Sequence, residues 1–516
     1  MNDNKTSKNS IVAKFAVPIS FLILFFLAAN FTDCDLVTFW KRRNHLTDLV
    51  VDMIPPDFSY IQKILLPLFY TIQMSVTGTV LGIFFALVLS PFGAANLGFP
   101  AVIRRILRIV IQILRSFPAL ILALTATFLF GLGTFAGTFA ITLYTFAIMT
   151  KLTYEDASAA DVKAYQALRA MGVSKYVAYI HGILPEIIPG FLTNALYLLE
   201  TNVRHSSILG YVGAGGIGLL LNEKISWLEY DKVGTILLML FLTVCVIEYF
   251  SRYLAALIRK ERTIKKEQAR LLLLFLAALF LICTFTLSLP DFSRTSPQTL
   301  RNMFAGFLQP DWSFFFSAEK DGLGYLLLET VCIAFIGTVI GAIVSAPLAF
   351  LNTKRFVPAP VSFLFNLVIM VIRSVPFLVY GLVFIRVSGP GAFTGVLTLA
   401  VCSIGLLTKR FTEALDALDL RPYHALLAMG GRPLPAICHS VLPQLKPVFT
   451  SIILYRFDVN LREASVLGLV GAGGIGAPLI FSMNQYDWEK AGAIMLGLIL
   501  SVWVIDMVSE KTGAGN

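Results

Sequence analysis

The sequence predicts an all-α integral membrane protein with about 12 transmembrane helices, arranged as two parallel six-helix repeats. Only 14% of the 516 residues are charged and 57% are hydrophobic, whereas a soluble globular protein has about 25% charged residues. Long apolar runs recur along the chain, and its second half resembles its first half at an offset of 258 residues. These observations exclude a soluble enzyme of ordinary type.

The apolar runs are long enough to cross a membrane, because a spanning helix needs about 20 predominantly apolar residues. Polar residues or Gly and Pro separate the runs. In the first half the predicted spans are residues 11–30, 64–90, 108–130, 134–150, 186–210 and 233–257. In the second half they are residues 271–290, 324–350, 361–387, 391–408, 440–466 and 489–508. An even number of spans predicts that both termini lie on the same side of the membrane.

The positive charges predict which side that is, since Lys and Arg collect in cytoplasmic loops. Residues 259–270 are strongly basic and are interpreted as a cytoplasmic linker between a first repeat, 1–258, and a second repeat, 271–516. This orientation places both termini in the cytoplasm. It also places there two long polar loops, 151–185 and 409–443, which have apolar residues at near-helical spacing.

The repeat is clearest in a stretch that ends in several glycines. Residues 200–218 and 458–476 are identical at 12 of 19 positions, without a gap. Each repeat has an even number of predicted spans, so both repeats face the same way, related by a pseudo-twofold axis along the membrane normal. This arrangement excludes an inverted-repeat transporter and favours a fused dimer with a translocation pathway between its halves.

The glycines of this stretch have the spacing of a dinucleotide-binding fingerprint. That fingerprint requires a preceding strand in a βαβ unit, and the sequence predicts none. We therefore interpret the glycines as points where the chain turns or where packed helices cross near the pathway, and simple loop punctuation is the alternative. The residues are Gly213, Gly215, Gly216, Gly218, Gly471, Gly473, Gly474 and Gly476.

No phosphate-cradling GxxxxGK[ST] loop is present in the sequence, so an ATPase that powered transport would be another chain.

Four polar residues are candidates for the translocation pathway: Asn202, Arg204, Asn460 and Arg462. An ionisable side chain at mid-bilayer costs about 2.5–3.5 kcal/mol on insertion scales, so each arginine needs compensation. One interpretation is local, because an acidic residue precedes each arginine by four positions, the spacing at which helical side chains meet. The other is that the arginines attract an oxyanion, which guanidinium recognises well. The sequence leaves both open.

The two cytoplasmic loops carry a motif of a known family. Gly172 with Leu184-Pro185, and Gly430 with Leu442-Pro443, reproduce the spacing from Gly to Leu-Pro in the EAA motif of ABC importer membrane subunits. The chain therefore resembles a type I ABC importer permease, in which this loop forms a coupling helix that inserts into the ATPase. The resemblance assigns coupling to Gln166, Ala170, Gly172, Leu184, Pro185, His424, Ala428, Gly430, Leu442 and Pro443.

This resemblance has two departures. The Glu position of the motif holds Gln166 in one repeat and His424 in the other, and its Ile position holds Gly182 and Ser440. A charge contact made by the family's Glu therefore does not carry over to this chain, whereas the packing of the helix in a groove does.

The whole pattern, with Asn-x-Arg ahead of the Gly-rich stretch, resembles the permease of phosphonate ABC importers, here duplicated and fused. The resemblance implies a permease subunit that forms the pathway for phosphonates or related small phosphorus oxyanions. It implies a homodimeric cytoplasmic ATPase, which binds ATP and Mg, and an extracytoplasmic substrate-binding protein as partners. The implied location is the bacterial cytoplasmic membrane. The chain itself is expected to have no catalytic residues, no cofactor, no metal site and no nucleic-acid partner.

Three alternatives remain at the level of sequence. The first is an ABC permease for methionine or another small solute, which shares parts of the pattern. The second is a secondary transporter with two parallel six-helix repeats, which would work without an ATPase. The third is a membrane-embedded enzyme acting on lipid, which would turn over its substrate alone.

Overall fold

The computed structural model describes residues 19–259, 266–290, 297–317, 319 and 322–513, and within these ranges it contains helices and no strand. The first part of the chain forms α1 (Ile19–Phe31), α2 (Leu36–Lys41), α3 (Arg43–Asp52), α4 (Ile61–Gly93), α5 (Ala101–Ser116), α6 (Ala119–Phe130), α7 (Thr134–Ala159), α8 (Lys163–Ala170), α9 (Lys175–Gly182), α10 (Leu184–Leu209), α11 (Ile217–Ser226) and α12 (Tyr230–Ile258).

The remaining part of the chain repeats this order. It forms α13 (Lys266–Phe285), α14 (Pro297–Leu308), α15 (Trp312–Phe315), α16 (Leu323–Asn352), α17 (Ala359–Ser374), α18 (Phe377–Ser388), α19 (Ala392–Ala417), α20 (Arg421–Ala428), α21 (Pro433–Ala436), α22 (Leu442–Leu467), α23 (Gly476–Asn484) and α24 (Trp488–Gly513). A short π-helix, Ile437–Val441, connects α21 to α22.

Each predicted span corresponds to a helix or to a bent pair of helices. Among the described residues, seven helices are long and apolar enough to cross a membrane, and up to ten spans result if each bent pair is one span. The bent pairs are α5 with α6, α9 with α10, and α17 with α18. Two shorter apolar helices, Ile19–Phe31 and Leu274–Phe285, overlap the other two predicted spans. Residues 11–18 of the first predicted span and residues 260–265 of the predicted linker lie outside the described residues. The all-α membrane architecture is therefore confirmed.

Proline explains two of the bends. α5 and α6 meet at 95° and α17 and α18 at 87°, with Pro118 and Pro376 at the breaks. Proline has no N–H to donate and disfavours the α conformation in the residue before it. Phe117, which precedes Pro118, is accordingly extended, with φ −89° and ψ 129°.

The helices group into two compact units that differ from the sequence repeats at their N-terminal segments. One unit comprises Leu49–Phe304 with Ser374–Pro376, and the other comprises the chain up to Asp48 with Ala305–Arg373 and Phe377–Asn516. Helix α13, which begins the second repeat in sequence, thus packs in the unit built mainly from the first repeat. There the Gln73 amide on α4 donates to the Cys283 carbonyl at 3.0 Å and to the Thr286 hydroxyl at 2.8 Å.

Glycine allows the central helices of each unit to pack closely. A Cβ atom at Gly78 of α4 would lie 2.7 Å from Ile141 of α7, and one at Gly82 would lie 2.6 Å from Thr145. In the other unit, a Cβ atom at Gly337 of α16 would lie 2.7 Å from Leu399 of α19. The small residues at this crossing bring the two backbones together, which is the main way helices associate within lipid.

Candidate translocation pathway and coupling sites

A single asparagine holds three helices together in the unit built from the first repeat. The Asn202 side chain on α10 is fully buried, and its Nδ2 donates to Thr79 Oγ1 of α4 and to Thr145 Oγ1 of α7, both at 2.8 Å. From its sequence, Asn202 is predicted to line the translocation pathway. The structure gives it a packing role, and contact with a substrate stays a prediction.

The second unit repeats this arrangement. Asn460 on α22 is also fully buried, and its Nδ2 donates to Thr338 Oγ1 of α16 at 2.7 Å and to Ser403 Oγ of α19 at 2.9 Å. The two amides therefore cross-link equivalent helices, and we call each arrangement an asparagine clamp.

Replacing Asn202 by leucine is expected to destabilise the protein by about 1–3 kcal/mol, because two buried hydrogen bonds worth about 0.5–1.5 kcal/mol each are lost. The measurement is thermal unfolding of the purified protein in detergent, where the midpoint should fall. The matched control is Thr201→Val on the same helix, since the Thr201 hydroxyl donates only to the Tyr197 carbonyl of its own helix. Equal midpoints for the two variants would contradict the clamp.

The two predicted arginines bind carboxylates of their own helices. Arg204 Nη2 lies 2.9 Å from Glu200 Oε1, and Arg462 Nη2 donates to Asp458 Oδ2. Both pairs have the i,i+4 spacing on which the local interpretation depends. The structure therefore brings together the ion pairs that the sequence suggested, and attraction of an oxyanion stays a prediction.

The Gly-rich segments are turns that only glycine readily adopts. Six of their glycines have φ between +77° and +83°, the left-handed region: Gly213, Gly215, Gly216, Gly471, Gly473 and Gly474. The remaining pair needs glycine for space, since a Cβ atom at Gly476 would lie 2.6 Å from the Ser465 carbonyl oxygen. Its counterpart Gly218 is likewise pressed against the Ser207 carbonyl oxygen.

A hydrogen bond attaches each Gly-rich segment to a long helix of the same unit, α4 or α16. The Ile217 N–H donates to Thr71 Oγ1 of α4 at 2.9 Å, and the Ile475 N–H donates to Thr330 Oγ1 of α16 at 3.1 Å. Because a helix precedes each segment and no strand occurs in the described residues, the geometry matches a turn between packed helices and not a dinucleotide site.

The predicted coupling loops begin as the last turns of α7 and α19, which continue to Ala159 and Ala417, and only then form short helical hairpins, α8 with α9 and α20 with α21. Gly172 and Gly430 end the first helix of each hairpin, with φ of +83° and +84°. The Gly172 N–H donates to the Arg169 carbonyl at 3.1 Å and the Val173 N–H to the Leu168 carbonyl at 3.2 Å. This pair of bonds is a Schellman motif, which satisfies the last carbonyls of a helix and needs a left-handed residue.

Most of the predicted coupling residues are exposed, either on these hairpins or at the start of the long helix that follows each of them, α10 or α22. Gln166, Ala170, Pro185, His424, Ala428, Leu442 and Pro443 are exposed, together with the two glycines, and Leu184 is half-buried. Sequence reasoning missed two methionines at the tips: Met171 is 71% exposed and Met429 is 83% exposed. Their signal was a large apolar residue directly before each predicted glycine.

An acidic residue at the start of each hairpin was also missed. Asp161 Oδ1 accepts the Lys163 N–H at 3.0 Å, and Asp419 Oδ1 accepts the Arg421 N–H at 3.0 Å. The backbone hydrogen bond from Lys163 lowers the pKa of Asp161, and the Arg421 side chain lowers the pKa of Asp419. Both carboxylates therefore stay ionised at neutral pH and anchor the first turn of their hairpins.

The second unit contains a further ion pair that the sequence analysis did not identify, in which Arg456 is buried and Glu463 is half-buried. Arg456 Nη2 lies 2.8 Å from Glu463 Oε2, and Arg456 Nε donates to Ser403 Oγ at 3.1 Å. All three residues belong to α22 or to the adjacent α19. In the ranges that the structure describes, no group of three or more His, Cys, Asp or Glu side chains is arranged to hold a metal ion.

Comparison with known proteins gives the same picture of two similar halves. Residues 78–263 and 337–510 each match the family described as binding-protein-dependent transport system inner membrane component. The phosphate-import permease protein PhnE of Mycolicibacterium smegmatis is 27% identical over 474 residues, which cover 90% of this chain and 88% of that protein.

Two other relatives match part of this chain. The phosphite transport system permease protein PtxC of Stutzerimonas stutzeri is 35% identical, covering 36% of this chain and 67% of that protein. The cryptic phosphonate transport system permease protein PhnE2 of Escherichia coli (strain K12) is 36% identical, covering 22% of this chain and 95% of that protein. With two matching segments on an all-helical membrane architecture, the chain belongs to the family of binding-protein-dependent transport system inner membrane components.

Proposed function

We propose that this chain forms the translocation pathway of an ABC importer for phosphonates or related small phosphorus oxyanions. The observation that carries the substrate class is that relatives named for phosphate, phosphite and phosphonate transport match this chain. Their named substrates share a phosphorus centre with several charged oxygens. This class of substrate suits a pathway in which arginine side chains are held in position within the membrane.

In this proposal the arginines of the asparagine-clamped helices exchange partners during transport. Arg204 and Arg462 rest on Glu200 and Asp458, and the passing oxyanion replaces the carboxylate. A phosphonate dianion competes well for a guanidinium, since charge-assisted bonds to phosphorus oxygens are strong and often bidentate. The ion pair thus keeps each arginine compensated between substrates, and the two interpretations drawn from the sequence describe two stages of one cycle.

The energy source in this proposal is a separate cytoplasmic ATPase, which binds ATP and Mg. The two coupling hairpins have the same left-handed glycine turn, which suits docking on the two equivalent surfaces of a homodimer. Closure of the ATPase dimer would draw the hairpins together and reopen the pathway toward an extracytoplasmic binding protein. The basic linker favours an orientation with the hairpins and both termini in the cytoplasm of a bacterial cell.

The test is reconstitution of the chain in proteoliposomes with its ATPase and binding protein. We expect accumulation of a labelled phosphonate only when the ATPase, ATP and the binding protein are all present. Accumulation without the ATPase, driven by an ion gradient, would instead identify a secondary transporter.

A further inference from the structure

The ion pair Arg456–Glu463 lies on the same face of α22 as the asparagine clamp. Arg456, Asn460 and Glu463 follow one another at i, i+4 and i+7, so their side chains share one stripe of the helix. Ser403 Oγ accepts both from Arg456 Nε at 3.1 Å and from Asn460 Nδ2 at 2.9 Å. The clamp therefore positions the guanidinium independently of Glu463.

The first repeat is an internal control for what the fold requires. At the offset of 258 residues, Arg456 corresponds to Leu198 and Glu463 corresponds to His205. The clamp by Asn202 forms there with the same two hydrogen bonds. The three-helix packing thus forms without an ion pair at this position, so the pair in the second repeat is not needed to build it.

Because the three-helix packing does not require this ion pair, its presence inside the protein needs another explanation. Ionisable side chains inside a membrane are costly and usually mark a substrate or ion pathway. Replacing such a pair by well-packed apolar residues is often neutral or stabilising, and the leucine of the first repeat shows that an apolar side chain fits there.

Exposure indicates which partner a ligand would displace. The Arg456 side chain is 5% exposed and that of Glu463 is 17% exposed. The pair is therefore approached from the carboxylate side, while the arginine stays fixed behind it on Ser403. An anion that reached this position would compete directly with the Glu463 carboxylate for Nη2.

We propose that Arg456 is an additional anion-binding residue, present only in the second repeat, and that Glu463 is its resting counter-ion, displaced by a passing phosphorus oxyanion. This inference rests on the proposed function. A phosphorus dianion carries more charge than the carboxylate that it replaces and offers oxygens in a geometry that suits the guanidinium fork. The pathway is then asymmetric: the second repeat contributes an anion contact that the first repeat lacks.

The test exchanges the pair for the residues of the first repeat, Arg456→Leu with Glu463→His. This double variant removes both charges together, so no unpaired buried charge remains. We expect the KM for phosphonate uptake by the reconstituted complex to rise at least 10-fold, with an unchanged unfolding midpoint and unchanged assembly with the ATPase. A KM equal to that of the wild type would overturn the inference.

A second variant keeps the inference testable if the exchange does not fold. Glu463→Gln removes the competing carboxylate but retains the arginine, so we expect the KM to fall and the maximal rate to fall with it, as the substrate leaves more slowly. An unchanged KM with a lower unfolding midpoint would show that the pair is merely structural. The wild-type complex in the same assay separates the two claims, because its failure to take up phosphonate would refute the proposed function itself.

Discussion

Replacing Gly172 or Gly430 by valine is expected to abolish substrate-stimulated ATP hydrolysis by the reconstituted complex while leaving the membrane helices inserted. A Cβ atom at either position has nothing within 4 Å, so the effect comes from the backbone and not from a clash. A left-handed conformation costs a residue other than glycine about 1–2 kcal/mol. Valine would therefore distort the turn next to Met171 or Met429, in the hairpin that we propose docks on the ATPase.

Gly389→Val is the matched control for this strain. Gly389 has φ +84°, the same as Gly430, and also has nothing within 4 Å of an added Cβ atom, but it follows α18 outside the hairpins. The control should lose a similar amount of stability and keep the stimulation. Asparagine tolerates the left-handed region, so Gly430→Asn should retain part of the coupling. Full stimulation in both valine variants would refute the coupling assignment.

Charge-neutral variants of the two arginine–carboxylate pairs are expected to weaken phosphonate uptake strongly. Glu200→Gln with Arg204→Gln, combined with Asp458→Asn and Arg462→Gln, leaves no unpaired buried charge. If the arginines served only their helix neighbours, transport would continue. The proposed exchange of partners instead predicts a rise in the KM for phosphonate of 10-fold or more, measured as ATP-dependent uptake.

The position of Arg204 indicates which step of transport these variants should impair. α10 runs without a break from Leu184 to Leu209, and at about 1.5 Å per residue Arg204 lies about 28 Å along it from Pro185. In the proposed orientation, this distance from the coupling hairpin places the arginine toward the opposite side of the membrane, where a binding protein would deliver the substrate. Arg204→Lys should keep part of the activity, as a point charge without the bidentate fork. Wild-type uptake by the neutral variants would leave only the ion-pair role.

Local sequence features predicted the helices and turns well. Apolar length located the spans. Pro118 and Pro376 lie at the breaks of two predicted spans, 108–130 and 361–387, because proline acts on the residues directly beside it. The run of glycines likewise indicated a turn, as found at Gly216, but not its left-handed conformation. The exchange of N-terminal segments between the compact units was not predictable in this way, since sequence order does not specify the unit against which an isolated apolar helix packs.

The polar residues of the candidate pathway were predicted less completely than the helices, because their roles depend on contacts between different helices. Asn202 and Asn460 stand out because they match between the repeats, but the hydroxyl partners that define their role lie on other helices. Arg456 and Glu463 do not stand out in this way, because they have no charged counterparts in the first repeat. The useful signal was a mismatch between the aligned repeats. A charged pair in the second repeat corresponds to a leucine and a histidine in the first repeat.

Substrate competition in ATP-driven uptake is the decisive experiment for a pathway that carries phosphorus oxyanions. Proteoliposomes containing this chain, its ATPase and its binding protein would take up a labelled phosphonate in the presence of excess unlabelled phosphonate, phosphite, phosphate or methionine. We expect unlabelled phosphonate to compete, at least one of phosphite and phosphate to compete with it, and methionine to have no effect. Competition by methionine alone would contradict a pathway for phosphorus oxyanions.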